Sequence, residues 1–489
     1  MNKPVNPTEF DDLATPLYAP RGAVYPQSVS GTFRNIKWAL MALCLAVYYL
    51  LPFVRWDRGP NASSQAVLID FSNRRFYFFS IELWPQEVYY FTGLLIIAAM
   101  TLFLMNAIGG RIWWGYLCPQ TVWTDLFYAV ERFIDGDRRE RMKKAAGKLT
   151  VRRTAEIAAK HAVWLFIAWW TGGVWVLYYA DAPTLVRQLA TFEAPAAAYI
   201  WIGILTVTTY TLAGHMREQV CVYMCPWPRI QAALTDEWAL NVTYRCDRGE
   251  PRTSIKRAEQ MRNRGQPAGD CVDCFQCVAV CPTGIDIRDG AQLGCIMCGL
   301  CIDACDNVMK KIGRPTSLIA YDTDINIARR GQHKPPIYRP VRPRTLVYAG
   351  IIGLAGMAML YALVTRSYLD ISVRHDRNPL FVTLSDGSIR NAYTVHLLNK
   401  RHDASTVELE VEGLPQAEVH LAGQDTVIAG MALIPVGPDQ GREVRVLITI
   451  PPTANVDHST PLTFRVTNVA AGDIAVANDH FIAHSRGSP

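Results

Sequence analysis

Five stretches of the chain are apolar almost without interruption: 36–54, 88–107, 162–180, 197–213 and 346–364. As α-helices of about 17–20 residues, each would cross a hydrocarbon core of roughly 30 Å, with every backbone group paired inside the helix as lipid demands. One such run is compatible with a buried core helix; five in one chain predict a multi-spanning membrane protein. A signal peptide is the other reading of the first run, and its long polar preamble and lack of a small-residue cleavage site speak against that. Trp38, Trp84, Trp164, Trp169, Trp170, Trp201 and Tyr348 stand at or within the runs, the positions expected of an interfacial aromatic belt. After residue 366 the hydrophobic period changes to two. Thr406-Val407-Glu408-Leu409-Glu410-Val411 alternates, as do later segments, and Asp386-Gly387 and Pro451-Pro452 mark turns. About seven short strands in this region predict an immunoglobulin-like β-sandwich.

Charge then orients the spans. Loop 108–160 carries Arg132, Arg138, Arg139, Arg141, Lys143, Lys144, Lys148, Arg152 and Arg153, and segment 215–345 is also basic, whereas the loop between the third and fourth runs has only Arg187. The positive-inside rule places the N-terminal segment 1–35, loop 108–160 and segment 215–345 in the cytoplasm. Helices one to four then occupy 36–214, the fifth span 346–365, and the sandwich 366–489 faces the periplasm. Arg55, Arg58, Arg74 and Arg75 in the first outer loop oppose this weakly. The net charge of +6 gathers in these loops, so it reads as topology and excludes a nucleic-acid-binding role.

Cysteine usage supplies the chemistry. None of the thirteen cysteines lies beyond Cys305, and eight crowd into 271–305, a pattern of metal ligation in a reducing compartment and not of disulfide staples. Cys271-Val-Asp-Cys274-Phe-Gln-Cys277-Val-Ala-Val-Cys281-Pro282 is followed by Cys295-Ile-Met-Cys298-Gly-Leu-Cys301-Ile-Asp-Ala-Cys305-Asp306. This is the C-x₂-C-x₂-C-x₃-C pattern twice, the signature of a ferredoxin-like pair of 4Fe–4S clusters. Three thiolates on one tight loop reach three corners of a cube, and the fourth serves the other cluster. Cys271, Cys274, Cys277 and Cys305 are therefore the expected ligands of one cluster, and Cys295, Cys298, Cys301 and Cys281 those of the second. Structural zinc would need only four cysteines per site, in two pairs separated by a longer loop. Asp306 stands where a second proline is usual, which alters a turn and not the ligand set. Irons fully capped by cysteine relay single electrons and do no bond chemistry. No nucleotide fingerprint accompanies them, so another protein, a quinol or a small carrier is the expected donor.

Cys118, Cys221, Cys225 and Cys246 remain. Cys118-Pro119 follows the second span and Cys221-Val-Tyr-Met-Cys225-Pro226 follows the fourth, like two copies of a weak repeat in which Trp114 occupies the place of Cys221. If those helix exits are neighbours, Cys118, Cys221 and Cys225 form a soft sulfur site suited to Cu(I). The alternative is that they are small buried apolar residues, the reading adopted for Cys246 and for Cys44 inside the first span.

The ordered set of motifs resembles a known family. Tyr25-Pro26, Gly31-Thr-Phe-Arg34, Lys37-Trp38, Trp84-Pro85-Gln86, Trp114-Gly-Tyr-Leu-Cys118-Pro119, Cys221-Val-Tyr-Met-Cys225-Pro226-Trp227, the double cysteine motif and Arg377-Asn-Pro-Leu-Phe381 are similar to the cytochrome c oxidase accessory proteins called CcoG, FixG or RdxA. The resemblance implies a protein of the bacterial inner membrane that matures a haem–copper oxidase by reducing Cu(II) to Cu(I), a cupric reductase. It implies oxidase-assembly or copper-handling partners, and leaves the electron donor and any homo-oligomer open. Two other functions fit the residues: a quinol-linked electron-transfer subunit, and a non-catalytic assembly factor whose clusters sense redox state.

Overall fold

The computed structural model describes residues 23–59, 62–401, 403–414, 416–423, 431–454 and 456–484; of the N-terminal segment 1–35, residues 1–22 lie outside them. Each apolar run forms a helix. These are α1 (Thr32–Leu50), α2 (Tyr89–Gly109), α5 (Val151–Leu177), α6 (Ala196–Thr209) and α9 (Pro343–Val364). Between them lie α3 (Pro119–Asp135), α4 (Arg138–Ala146), α7 (Ile255–Asn263) and α8 (Leu300–Lys311), beside the helix Ala182–Ala190 and several shorter helical segments.

Four helical stretches are long and apolar enough to cross a bilayer: Thr32–Phe53, Pro85–Gly109, Ala196–Met216 and Pro343–Val364. The remaining long helix, α5, is 27 residues, and its first three turns carry Arg152, Arg153, Glu156, Lys160 and His161, so only its second half is apolar. It begins eleven residues before the expected span because these charges have partners. Lys160 Nζ lies 2.8 Å from Asp135 Oδ2, and Arg153 Nη1 bonds Asp135 Oδ1 at 2.5 Å. Two of the tryptophans expected in an interfacial belt are interior instead. Trp164 stacks on Phe127 at 5.4 Å and is buried, as is Trp84. Past Thr209 the fourth span loosens into a wider π turn over Tyr210–Met216, and a second π turn follows at Val220–Met224.

Helix α1 has no side-chain cap of its own at Gly31. The cap comes from α8, where Asp303 accepts from the amides of Phe33 at 3.2 Å and Arg34 at 2.8 Å. A Cβ on Gly31 would fall 2.3 Å from Asp303 Cγ, so this contact requires glycine. A carboxylate at a helix N-terminus also meets the positive end of the helix dipole. The cysteine-rich segment is thereby tied to the first spanning helix. It also contains a two-stranded antiparallel pair, β4 (Asn241–Tyr244) with β5 (Ile319–Asp322), in register Asn241↔Asp322; three short strands, β1 (Val67–Asp70), β2 (Arg75–Phe78) and β3 (Ile81–Leu83), precede it in the chain.

The C-terminal strands are β6 (Leu369–His375), β7 (Val382–Thr383), β8 (Ile389–Asn399), β9 (Ser405–Glu412), β10 (Glu418–Leu421), β11 (Met431–Val436), β12 (Gln440–Ile450), β13 (Ser459–Asn468) and β14 (Ile474–Ile482). One sheet runs β10-β12-β8-β6 with β7 on the side of β8, and the other β11-β9-β13-β14. This is the immunoglobulin-like sandwich expected, with nine described strands. Alternate residues of β8 and β13 point inward, and the Tyr393 ring meets Phe464 at 5.2 Å between the sheets. Phe464 and Phe481 are fully buried and contribute roughly 1.5–3 kcal/mol each.

Candidate functional site

The two cysteine loops share one backbone device. In the first, Asp273 and Phe275 have φ of 54° and 55°; in the second, Met297 and Gly299 have 55° and 72°. These left-handed residues flank the second cysteine of each loop at identical offsets. For a non-glycine residue this conformation costs roughly 1–2 kcal/mol. Its recurrence in both copies marks a turn imposed by what the loop must enclose. The thiols gather in two crossed sets. Cys305, on α8, faces Cys277, Cys274 and Cys271, while Cys295 and Cys298 face Cys281. Burial pushes the Cys277, Cys295 and Cys305 thiols up to about 12 and Cys301 well above the usual thiol range. Buried thiols ionise when a cation compensates them, so they suit metal ligation and not surface reactivity. Ile287, Ile302, Leu318 and Ile319 pack against Cys271, Cys277, Cys295 and Cys305 in one buried cluster. Eight thiols in two sets of four fit a pair of 4Fe–4S clusters by donor type and number.

The second loop is seated on residues that follow α2. Arg111 Nη1 donates to the carbonyls of Leu293 at 2.7 Å and Cys295 at 3.3 Å, and Tyr116 Oη donates to the Cys298 carbonyl at 2.9 Å. From β5, Tyr321 Oη donates to the Met297 carbonyl. Gly115 lies so close that a Cβ there would be 2.7 Å from the Ile296 carbonyl oxygen and 3.0 Å from Cys298 Cα. Lys37 of α1 is buried, acts on the Cys298 thiol from nearby, and stands 3.8 Å from Asp125. Asp125 also takes Arg34 Nη1 at 3.0 and 2.9 Å on its two oxygens. Burial works to raise the Asp125 carboxyl, but Lys37 and Arg34 outweigh it and hold it below the usual carboxylate range.

The membrane-edge thiols do converge. Cys118 precedes Pro119 at the start of α3, and the Cys225 amide donates to Val220 O at 2.8 Å to close the second π turn. Cys221 and Cys225, four apart, lie within and at the end of this turn. Cys118, Cys221 and Cys225 line one cavity of about 40 Å³ together with Cys295, Arg111 and Trp114. Burial pushes the Cys221 thiol up to about 12, and Cys118 and Cys225 add to the rise. Burial raises Cys118 as well, against the lowering pull of the Thr121 and Gln120 amides. Among the described residues no three His, Cys, Asp or Glu side chains stand close enough to grip a single metal ion, so these thiols share a cavity without a preassembled ion site. Cys246 is exposed and Cys44 half-buried, both apart from this cavity.

Sequence reasoning missed Asp303, Lys37, Arg111, Gly115, Tyr116 and Tyr321 as parts of the site. One signal was available: ionisable residues such as Arg34 and Lys37 at a spanning helix are costly unless partnered.

Residues 216–324 match the family described as a 4Fe-4S dicluster domain, and residues 359–484 match the immunoglobulin-like fold at the C-terminus of FixG. The chain is 49% identical over 462 residues to the nitrogen fixation protein FixG of Rhizobium meliloti, covering 89% of this chain and 88% of that protein. It is 48% identical over 442 residues to protein RdxA of Cereibacter sphaeroides, covering 90% and 92%, and 46% identical over 468 residues to protein RdxB of the same organism, covering 95% and 97%.

Proposed function

Starting from a chain that belongs to the FixG family of membrane-associated iron–sulfur oxidoreductases, we propose that it passes single electrons to Cu(II) held by Cys118, Cys221 and Cys225. Cys271, Cys274, Cys277 and Cys305 hold one cluster, and Cys295, Cys298, Cys301 and Cys281 the other. When bound, the clusters supply reversible one-electron storage. One observation carries the reading: Cys295, a ligand of the second set, lines the same cavity as the three membrane-edge thiols. The reaction there is Cu(II) plus one electron to Cu(I), with no bond made in the protein. Soft thiolates favour the reduced product and so favour the step. The π turn at Val220–Met224 is the element able to close the three sulfurs around an ion. Arg111 and Tyr116 fix the Cys295–Cys298 loop against this cavity, and so keep the transfer distance constant.

The Cu(I) formed would serve the maturation of a haem–copper cytochrome c oxidase, with copper-handling proteins of the inner membrane as partners. In this reading segment 215–345 is cytoplasmic and 366–489 periplasmic, as the basic loops argue. The test is chelator-trapped Cu(I) formation by purified, cluster-loaded protein. Serine at positions 118, 221 and 225 should abolish it while leaving the electron paramagnetic resonance spectrum of the reduced clusters unchanged. Undiminished Cu(I) formation in that triple variant, or reduced clusters that Cu(II) does not reoxidise, would overturn the reading.

A further inference from the structure

We propose that electrons enter this protein at its Cys274 edge, from a small acidic protein that carries a one-electron group at its own surface. The proposal rests on the relay reading above and names the donor side of it. Of the eight ligand thiols Cys274 is the exposed one. Its neighbour Phe275, in the left-handed conformation, is 53% exposed, with the Arg288 guanidinium 4.2 Å over its ring. Beside them opens a cavity of about 600 Å³, whose wall includes Cys274, Phe275, Gln276, Arg138 and Arg139 with one acidic residue, Asp137. The other end of the relay is closed to a protein carrier: Cys295 and Cys298 are buried under Arg111, Gly115 and Tyr116, beside a cavity of only about 40 Å³. A carrier in solution therefore has its short path at Cys274.

Charge indicates the kind of carrier. One basic helix walls the cavity, and a second begins beside the Cys271 end of the same loop. Helix α4, whose first residues wall the cavity, has Arg138, Arg139, Arg141, Lys143 and Lys144 against Glu140. Helix α7 starts just after Thr253, whose amide donates to the Cys271 carbonyl at 3.3 Å, and has Lys256, Arg257 and Arg262 against Glu259. Some of these charges are engaged within the protein: Arg141 with Glu131 at 2.7 Å, Lys144 with Glu156 at 2.9 Å and Arg262 with Asp270 at 2.9 Å. Arg139 lines the cavity, and Arg139, Lys143, Lys256 and Arg257 are all exposed. Of the carboxylates at this edge, Asp273 and Asp286 share the Arg288 guanidinium at 2.5 Å, which offsets one of their two charges, and Asp137 accepts from the Ser28 amide and hydroxyl. A positive rim around an exposed redox edge attracts an acidic partner and raises its association rate about 10- to 1,000-fold at low salt. The step itself moves one electron from the carrier's reduced group to the cluster of the 271–277 loop. No bond forms or breaks and no proton moves.

The test uses the full chain with its clusters, in detergent, and an acidic flavodoxin reduced to its hydroquinone as the probe. Stopped-flow bleaching of the cluster absorbance gives the rate, and photoreduction with deazaflavin shows independently that the clusters accept electrons. The rate should fall steeply with salt. It should drop at least about tenfold in Arg139→Glu/Lys143→Glu and again in Lys256→Glu/Arg257→Glu, with photoreduced spectra unchanged. Carbodiimide should link Lys143 or Lys256 of the wild type to the probe. A rate indifferent to salt and to both pairs, or faster reduction by ubiquinol or NADH than by the flavodoxin, would overturn the proposal. Clusters that photoreduction cannot reduce would sink the relay reading itself, a failure distinct from loss of docking.

Discussion

Gly115→Ala places one methyl group against the loop that presents Cys295 and Cys298. The new Cβ would lie 2.7 Å from the Ile296 carbonyl oxygen, 3.0 Å from Cys298 Cα and 3.1 Å from Cys298 N, where ordinary contact begins at 3.4 Å. The overlap with Ile296 O is 3.4 − 2.7 = 0.7 Å. All three atoms are backbone, so no side chain can swing away. The loop is also pinned from above by Arg111 and Tyr116 and from β5 by Tyr321. Forcing a methyl into such a site costs roughly 1–3 kcal/mol, and here the strain falls on the second cluster. The expected result is a normal signal from the first cluster and a shifted or diminished one from the second, with faster loss of iron in air. Gly173→Ala is the control, because a Cβ there meets nothing within 4 Å and a helical alanine is favoured by up to about 1 kcal/mol. Two normal cluster signals with wild-type air stability in Gly115→Ala would refute the close seating of the loop.

Asp303→Ala removes the acceptor for the Phe33 and Arg34 amides. It should cost about 1–2 kcal/mol, read as a lower thermal midpoint in detergent, with Asp303→Asn recovering part of the loss. Asp125→Asn leaves Arg34 and Lys37 facing a neutral amide and should cost roughly 3–5 kcal/mol in denaturant unfolding. The Asp125 carboxyl is held below its usual range, so its contribution is complete above about pH 4 and fades as pH falls below that; wild type and variant should therefore converge in stability toward acid pH. Tyr116→Phe deletes the 2.9 Å hydrogen bond to the Cys298 carbonyl and should cost about 1 kcal/mol, seen as loss of the second cluster at lower denaturant than the first.

Much of this molecule can be read from local pattern. The cysteine spacing already marks eight candidate ligands as two copies of one pattern, because the C-x₂-C-x₂-C-x₃-C run recurs at 271–281 and 295–305. The apolar runs mark the spanning helices, and alternation marks the sandwich strands. What escapes is whatever depends on distant neighbours. Asp303 looks like an ordinary polar residue between two cysteines, yet it caps a helix 270 residues away. Helix α5 extends past its apolar stretch because Asp135 lies opposite Lys160 and Arg153, a pairing no window of hydropathy contains. Trp164 sits at an expected membrane boundary but is buried against Phe127, since α3 packs on α5. The convergence of Cys118 with Cys221 and Cys225 depends on how segments distant in the chain pack, which no local pattern contains. The weak C-P repeat was its one visible trace.

The central claim is that electrons stored on the cysteine-bound clusters leave through the cavity of Cys118, Cys221, Cys225 and Cys295. Rapid mixing of photoreduced protein with one equivalent of Cu(II), frozen at successive times for electron paramagnetic resonance, follows both partners at once. The account expects the reduced-cluster and Cu(II) signals to disappear together in wild type and to persist together when serine replaces Cys118, Cys221 and Cys225. Equal rates of disappearance in the two proteins would contradict it.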